Sequence, residues 1–398
     1  MATQSAPLRG AINLDSNASY PMHPRVRAIL SCPQHELLNP SSVHQGGQAA
    51  RISLETTRDL LRQAFQASDA TIAFTSGATE GNNAVLFSPF WSYLNTHREQ
   101  GIIPELVISA VEHPAVFEAA KKLESLGVKL HIVSPRACGN FYPSDFADCI
   151  TDRTKLISVM AVNNETGLRL PIEAIFHEAR VKNPRILCHT DAVQLFGKES
   201  LSLTALGADY VTVSAHKIGG IAGVGAIIMR QGSAIDALVV GGPQETGRRA
   251  GTENVLGIIA FGEAVAALID EGTSRAATMR EHRELLVSLL NASIPEAVIH
   301  FQSLPSIGNT VSVRFPGSQT SDMVVALDLH GVYASSGSAC SSGKVSASPV
   351  LLAHGFSEEE ALQTVRLSVH HHLTKDDIHD AVYRIKTAYN TMQRRRAA

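Results

Sequence analysis

The chain has 398 residues, of which 44% are hydrophobic and 18% charged, with a formal net charge of −3. That is chain enough for two domains with sizeable cores. It is too close to neutrality to make an electrostatic case for nucleic acid. The longest apolar run, near Val255 to Ile269, is broken by Glu263 and is too short to cross a bilayer, so no membrane partner is expected.

Met1 to Gly10 carries neither an apolar core nor an Arg-rich amphipathic run. No targeting segment is read there, and a cytoplasmic location is expected. From about residue 70 to 230, apolar strand-like runs alternate with amphipathic helical ones. Thr71–Phe74 precedes a helix from Thr79, and Leu106–Ala110 precedes one over Ala115–Leu126. Leu130–Val133, Lys155–Val162, Ile186–Thr190, Tyr210–Val213 and Gly225–Met229 read as further strands. Most are β-branched and apolar on both faces, as a covered parallel sheet requires. After about residue 262 the pattern changes. A long helix over Phe261–Leu290 leads to a half-buried strand at Thr310–Phe315, with shorter strands at Val332–Ser335 and Val365–Val369. Helices are expected over Glu358–Gln363 and Lys375–Met392, and Arg394-Arg395-Arg396 reads as a solvated helix end. The expected architecture is therefore α/β. A large domain over 14–262 holds a mostly parallel seven-stranded sheet. A smaller α+β domain over 263–398 is completed by residues 1–13.

Two strand ends carry the chemistry. Arg185-Ile186-Leu187-Cys188-His189-Thr190 runs into Asp191, and Asp209-Tyr210-Val211-Thr212-Val213 runs into Ser214-Ala215-His216-Lys217. A lysine and a carboxylate so placed suit pyridoxal phosphate (PLP). The lysine forms a Schiff base, and the carboxylate keeps the pyridine nitrogen protonated so that the ring accepts electrons. Thr75-Ser76-Gly77-Ala78-Thr79-Glu80 lies between a strand and a helix. By itself it suits a plain helix start. Beside such a lysine it suits a phosphate at a helix N-terminus. The five cysteines, Cys32, Cys138, Cys149, Cys188 and Cys340, are scattered without a CxxC pair, so neither a metal site nor a disulfide framework is expected. Cys340 lies in a small, polar stretch from Ser335 to Lys344, unlike the apolar setting of a structural cysteine.

Across Asn13 to Ile385 the chain resembles the fold-type-I PLP enzymes of the class-V aminotransferase superfamily, and within them the cysteine desulfurases of iron–sulfur assembly. The resemblance rests on ordered motifs: Leu14-Asp15-Ser16-Asn17-Ala18, Asn39 to His44, Thr75 to Asn82, Glu112-His113, Val162 to Gly167, Asp191 to Gln194, Ser214 to Lys217, Arg249 to Asn254, Ser335 to Ser342 and Val365 to Ser368. It implies that Lys217 holds PLP and moves the substrate Cα proton. It implies that Asp191 pairs with the ring nitrogen, Gln194 donates to the ring oxygen and His113 stacks on the ring. Ala78, Thr79, Ser214 and His216 would bind the cofactor's phosphate end, and Thr252 would reach the phosphate of the partner subunit's cofactor in a homodimer. Asn164 and Arg366 would hold the substrate carboxylate, with Asn164 also beside the cofactor. Cys340 would take the sulfur of L-cysteine as a persulfide and pass it to an acceptor such as an iron–sulfur scaffold protein.

The motif around Cys340 resembles the class with a long catalytic segment. The chain departs from the family at Thr246, where an arginine is usual, at Pro243, at His370-His371-His372 and at Ser19-Tyr20. Other readings that the sequence leaves open are a selenocysteine lyase, another class-V PLP enzyme, and a non-catalytic PLP-binding scaffold.

Overall fold

Strands rich in β-branched residues form the frame of the protein. In the computed structural model, residues 10–31, 38–96, 103–136, 139–337 and 346–397 are described. The strands in chain order are β1 (Ile12–Asn13), β2 (Thr71–Thr75), β3 (Glu105–Ser109), β4 (Lys129–Val133), β5 (Thr154–Ser158) and β6 (Leu187–Asp191). They continue as β7 (Tyr210–Ser214), β8 (Gly225–Met229), β9 (Val298–Ile299), β10 (Thr310–Arg314), β11 (Val332–Tyr333) and β12 (Thr364–Ser368).

The chain divides into two compact units. The larger comprises Tyr20–Asn163 and Arg169–Thr273; the smaller comprises Met1–Ser19, Asn164–Leu168 and Ser274–Ala398. This division differs from the expected 262/263 boundary. It falls inside one helix, Val255–Ser293, at Thr273/Ser274, where the run Gly272-Thr273-Ser274 does not interrupt the helix. Residues 14–19 belong to the smaller unit, where the Ser16 hydroxyl donates to Val369 O and Asn17 N–H donates to Ser368 Oγ. Asn164–Leu168 joins it because Leu168 bridges Ser306 and Gly167 O accepts from Ile307 N at 2.8 Å.

In the larger unit the seven-stranded sheet has the order β2-β8-β7-β6-β5-β3-β4. Only β8 runs against the rest: it pairs antiparallel with β2 and β7, and the β7-β6-β5-β3-β4 ladder is parallel. β3, β7 and β8 are buried at every residue, which explains their near-continuous apolar sequences. One core layer packs Val116, Ala120 and Leu123 of helix Pro114–Ser125 on Leu106, Ile108 and Leu156. The smaller unit holds β12-β10-β9, all antiparallel, and a β1-β11 parallel pair.

Several boundaries are shorter than the sequence suggests. The run Lys155–Val162 ends its ladder at Ser158, and Val162 then makes a separate bridge to Arg169. Val332–Ser335 is strand only to Tyr333, because Ser335 leaves β1 and bridges Arg366 instead. Among the described residues, no helix is long and apolar enough to cross a membrane.

Candidate active site

β2, β3, β6 and β7 point the same way, so their carboxyl ends share one edge of the larger unit's sheet. The antiparallel β8 begins at that edge, where Gly225 pairs with both Thr75 and Ser214. In open α/β sheets this is the edge where ligands bind. Asp191 is the last residue of β6 and Ser214 the last of β7. A single turn, Ala215–Lys217, then carries Lys217 off the sheet.

Asp191 is buried and its carboxylate is held on both oxygens. Asn82 Nδ2 donates to Oδ2 at 2.7 Å, and Val193 N–H donates to Oδ1 at 3.0 Å. Asn82 comes from helix Ala78–Phe87, which presses on the sheet: a Cβ on Gly81 would stand 2.7 Å from Thr212 Cγ2. That helix starts at Gly77 (φ 155) with no side-chain cap, and a Cβ there would meet nothing within 4 Å. Its first turn therefore offers uncapped N–H groups toward open space, with Ala78 and Thr79 as its first residues. Gly225 must lack a side chain, since a Cβ would lie 2.9 Å from Gly77 Cα.

His113 caps helix Pro114–Ser125, and its Nδ1 accepts from Ala115 N at 3.1 Å. That bond assigns the remaining ring proton to Nε2. The surrounding protein partly desolvates this accessible ring and holds its pKa below the ordinary imidazole value. Asp191 opposes that shift and Lys217 reinforces it, which places all three groups in one electrostatic neighbourhood. His216 Nδ1 lies 2.8 Å from Ser214 Oγ, and burial, then Lys217, lowers its pKa to about 4. Gln194 is buried, and its Oε1 accepts from the buried Lys198 Nζ at 2.5 Å. Thr252 is exposed, just before helix Val255–Ser293.

The donor set on this edge fits PLP. It provides a helix start without a cap for a phosphate, a buried carboxylate for a ring nitrogen and an amine at a strand end for an aldehyde.

Arg366 and Asn164 belong to the smaller unit. Arg366, on β12, is buried; its Nη2 donates to Asp15 Oδ1 at 2.6 Å and its Nη1 to Asn164 O at 3.0 Å. Its main chain pairs with Ser335. Cys340 lies outside the described residues, as do Cys32 and Cys138. Of the other cysteines, burial raises both thiol pKa values, Cys188 to about 12. Neither is poised as a thiolate.

Sequence reasoning assigned no role to Asn82, Lys198, Glu112 or Asp15. Lys198 carried a signal, its i+4 spacing from Gln194. Asp15 and Asn82 lay inside motifs but touch partners remote in sequence. Glu112 is buried beside His113. It accepts from Ser109 Oγ at 2.5 Å and Met160 N at 2.9 Å, and desolvation raises its pKa to about 8 against both bonds, with Asp191 adding a further push upward.

A sheet edge of this kind, with a lysine and a carboxylate on adjacent strand ends, defines a fold-type-I PLP enzyme. The chain belongs to the aminotransferase class-V family, whose model matches residues 12–380, and within it to the cysteine desulfurases. It is 36% identical over 377 residues to a cysteine desulfurase of Sinorhizobium fredii, covering 94% of this chain and 95% of that one. It is 33% identical to the cysteine desulfurase IscS of Dictyoglomus turgidum, covering 93% and 92% of the two chains. Among solved structures, a NifS-like protein superposes with a TM-score of 0.87 at 30% identity, covering 96% of this chain and all of that one.

Proposed function

We propose that this chain is a PLP-dependent cysteine desulfurase that converts L-cysteine to L-alanine and loads the sulfur on Cys340. The observation that carries the reading is the clustering of Lys217, Asp191 and His113 at one sheet edge in a chain of this family.

Bound PLP supplies an electron sink for the pair released at the substrate Cα. Lys217 binds the cofactor covalently and takes the Cα proton, because its short turn after β7 brings the amine to the strand ends. Asp191, held by Asn82 and Val193 N–H, would pair with the ring nitrogen. Neutral His113, with its ring proton on Nε2, would stack on the ring. Lys198 donates to Gln194 Oε1, so that the NH2 end of the amide would be the group that serves the ring oxygen. The first turn of helix Ala78–Phe87, with Thr79, Ser214 and His216, holds the phosphate. Thr252 completes the phosphate site of a second subunit in a homodimer. Arg366 and Asn164 grip the substrate carboxylate, for which the guanidinium fork is well shaped. The Cys340 thiolate attacks the substrate sulfur, and the Cβ–S bond breaks. A proton delivered to Cβ and another returned to Cα complete alanine, and Cys340 keeps the sulfur as a persulfide. An acceptor protein, such as an iron–sulfur scaffold in the cytoplasm, then takes that sulfur.

The test is brief exposure of the purified holoenzyme to L-cysteine. Alanine should form in step with added sulfur on the Cys340 peptide, seen by mass spectrometry. Cys340→Ser should keep PLP yet release almost no alanine, since a hydroxyl is scarcely ionised near neutrality. Near-normal alanine from that variant would remove the desulfurase mechanism.

A further inference from the structure

The mechanism leaves one half-buried carboxylate of the smaller unit without a task. Glu165 follows Asn164 and sits beside Arg366. Burial raises its pKa, while the Ser348 bond and the Arg366 charge oppose that rise. Its Oε2 accepts from Ser348 Oγ at 2.5 Å. The same oxygen faces Gly337: a Cβ there would lie only 3.1 Å from it, so the Gly337 backbone passes close by. Gly337 and Ser348 flank residues 338–345, which carry Cys340 and lie outside the described residues. On the near side, Ser335 pairs its main chain with Arg366 in both directions, and Gly337 N–H donates to Ser335 Oγ at 3.3 Å. On the far side, Ser348 Oγ also accepts from Leu351 N at 3.2 Å and so caps helix Pro349–Ala353. One hydroxyl thus donates to Glu165 and accepts from the helix start, while the near stem meets the same carboxylate through the close approach of the Gly337 backbone.

We infer that Glu165 is a positioning residue that ties together the two stems, Gly337 and Ser348, on either side of the sulfur-accepting segment, next to the arginine that grips the substrate carboxylate. The inference rests on the reading that Cys340 takes the sulfur. The acceptor oxygen, rather than the negative charge, is what the tie uses. Glu165→Gln keeps that oxygen, Glu165→Asp withdraws it by one methylene, and Glu165→Ala removes it.

The experiment follows two steps in the holoenzyme. One is exchange of the Cα proton of L-alanine in D2O, which needs no thiol. The other is the single-turnover appearance of sulfur on Cys340 with L-cysteine. In Glu165→Ala the second step should slow about tenfold, as misplacement of a reacting group does, while exchange stays within about twofold of wild type. Glu165→Asp should match Glu165→Ala, and Glu165→Gln should match wild type. Sulfur loading at the wild-type rate in Glu165→Ala would overturn the inference. So would recovery in Glu165→Asp but not in Glu165→Gln, which would make the charge beside Arg366 the active feature. Should Glu165→Ala give no soluble holoenzyme, Ser348→Ala reads the tie from its other end. It should show the same split, with Ser348→Thr retaining function, and wild-type loading in Ser348→Ala would overturn the tie. Failure of the underlying reading shows separately, as wild-type enzyme that carries no sulfur on Cys340.

Discussion

The two units hold their functional groups in different ways. On the sheet edge of the larger unit most groups are fixed by near neighbours: Val193 N–H on Asp191, Ala115 N–H on His113, Ser214 against His216 and Lys198 on Gln194. Arg366 of the smaller unit is held instead by Asp15 and Asn164, 351 and 202 residues away in the chain. Strand ends are rigid, and a motif of four or five residues suffices to place a side chain there. A buried arginine needs acceptors on several sides, and a strand in a three-stranded sheet finds them only where remote segments converge. Damage on the sheet edge should therefore strike the cofactor and its proton chemistry. Damage around Arg366 should strike the grip on substrate.

The sharpest test of that contrast is Lys217→Ala. Turnover should fall by about 10³-fold or more, since a positioned base contributes on that scale. Borohydride should label Lys217 in wild type and nothing in the variant. A label on another lysine would break the assignment of the larger unit.

Arg366→Lys should raise KM about 30-fold with a smaller change in kcat, because an ammonium cannot reproduce the two-pronged grip. Bound PLP should keep its absorbance. Loss of PLP with this substitution would erase the distinction between the two regions.

Glu112 supplies a pH test. Its pKa is near 8 in the folded chain, against an ordinary value of 4.5. Between those values the folded state holds a proton that the unfolded state has lost. Glu112 thus contributes full stability below about pH 4.5 and loses it as pH rises through about 8. Glu112→Gln keeps the neutral form at every pH. Between pH 6 and 8 the wild type should lose about 2 kcal/mol relative to Glu112→Gln, read from denaturant midpoints. Parallel curves would mean that Glu112 is ionised in the folded protein.

Asn82→Ala has the smallest expected effect. Asp191 Oδ2 would lose its 2.7 Å donor while Val193 N–H remains. PLP affinity should weaken about fivefold, the scale of one hydrogen bond to a charged group partly replaced by water. An unchanged affinity would show that the local bond alone orients Asp191.

The larger unit was legible because its sheet is covered on both faces. Burial makes strands such as Leu106–Ile108 and Ala226–Met229 continuously apolar, so seven runs could be picked out along the chain. Asp191 and Lys217 stood out because polar groups closing apolar strands have few structural uses. Glu112 did not stand out: its raised pKa comes from enclosure, and enclosure leaves no mark on one sequence.

From its sequence alone the protein already determined an α/β frame with a lysine and a carboxylate at successive strand ends, and a cysteine in a small, polar stretch. These follow from local rules of strand period, turn composition and side-chain chemistry. Only the tertiary structure decided that Asn82 braces Asp191 and that Asp15 and Asn164 hold Arg366. It also decided that residues 164–168 belong with the smaller unit and that the unit boundary lies inside helix Val255–Ser293. Each of these depends on satisfying a buried polar group or a backbone bond with whatever segment the fold brings within about 3 Å, a choice made by long-range packing and not by any neighbouring residue.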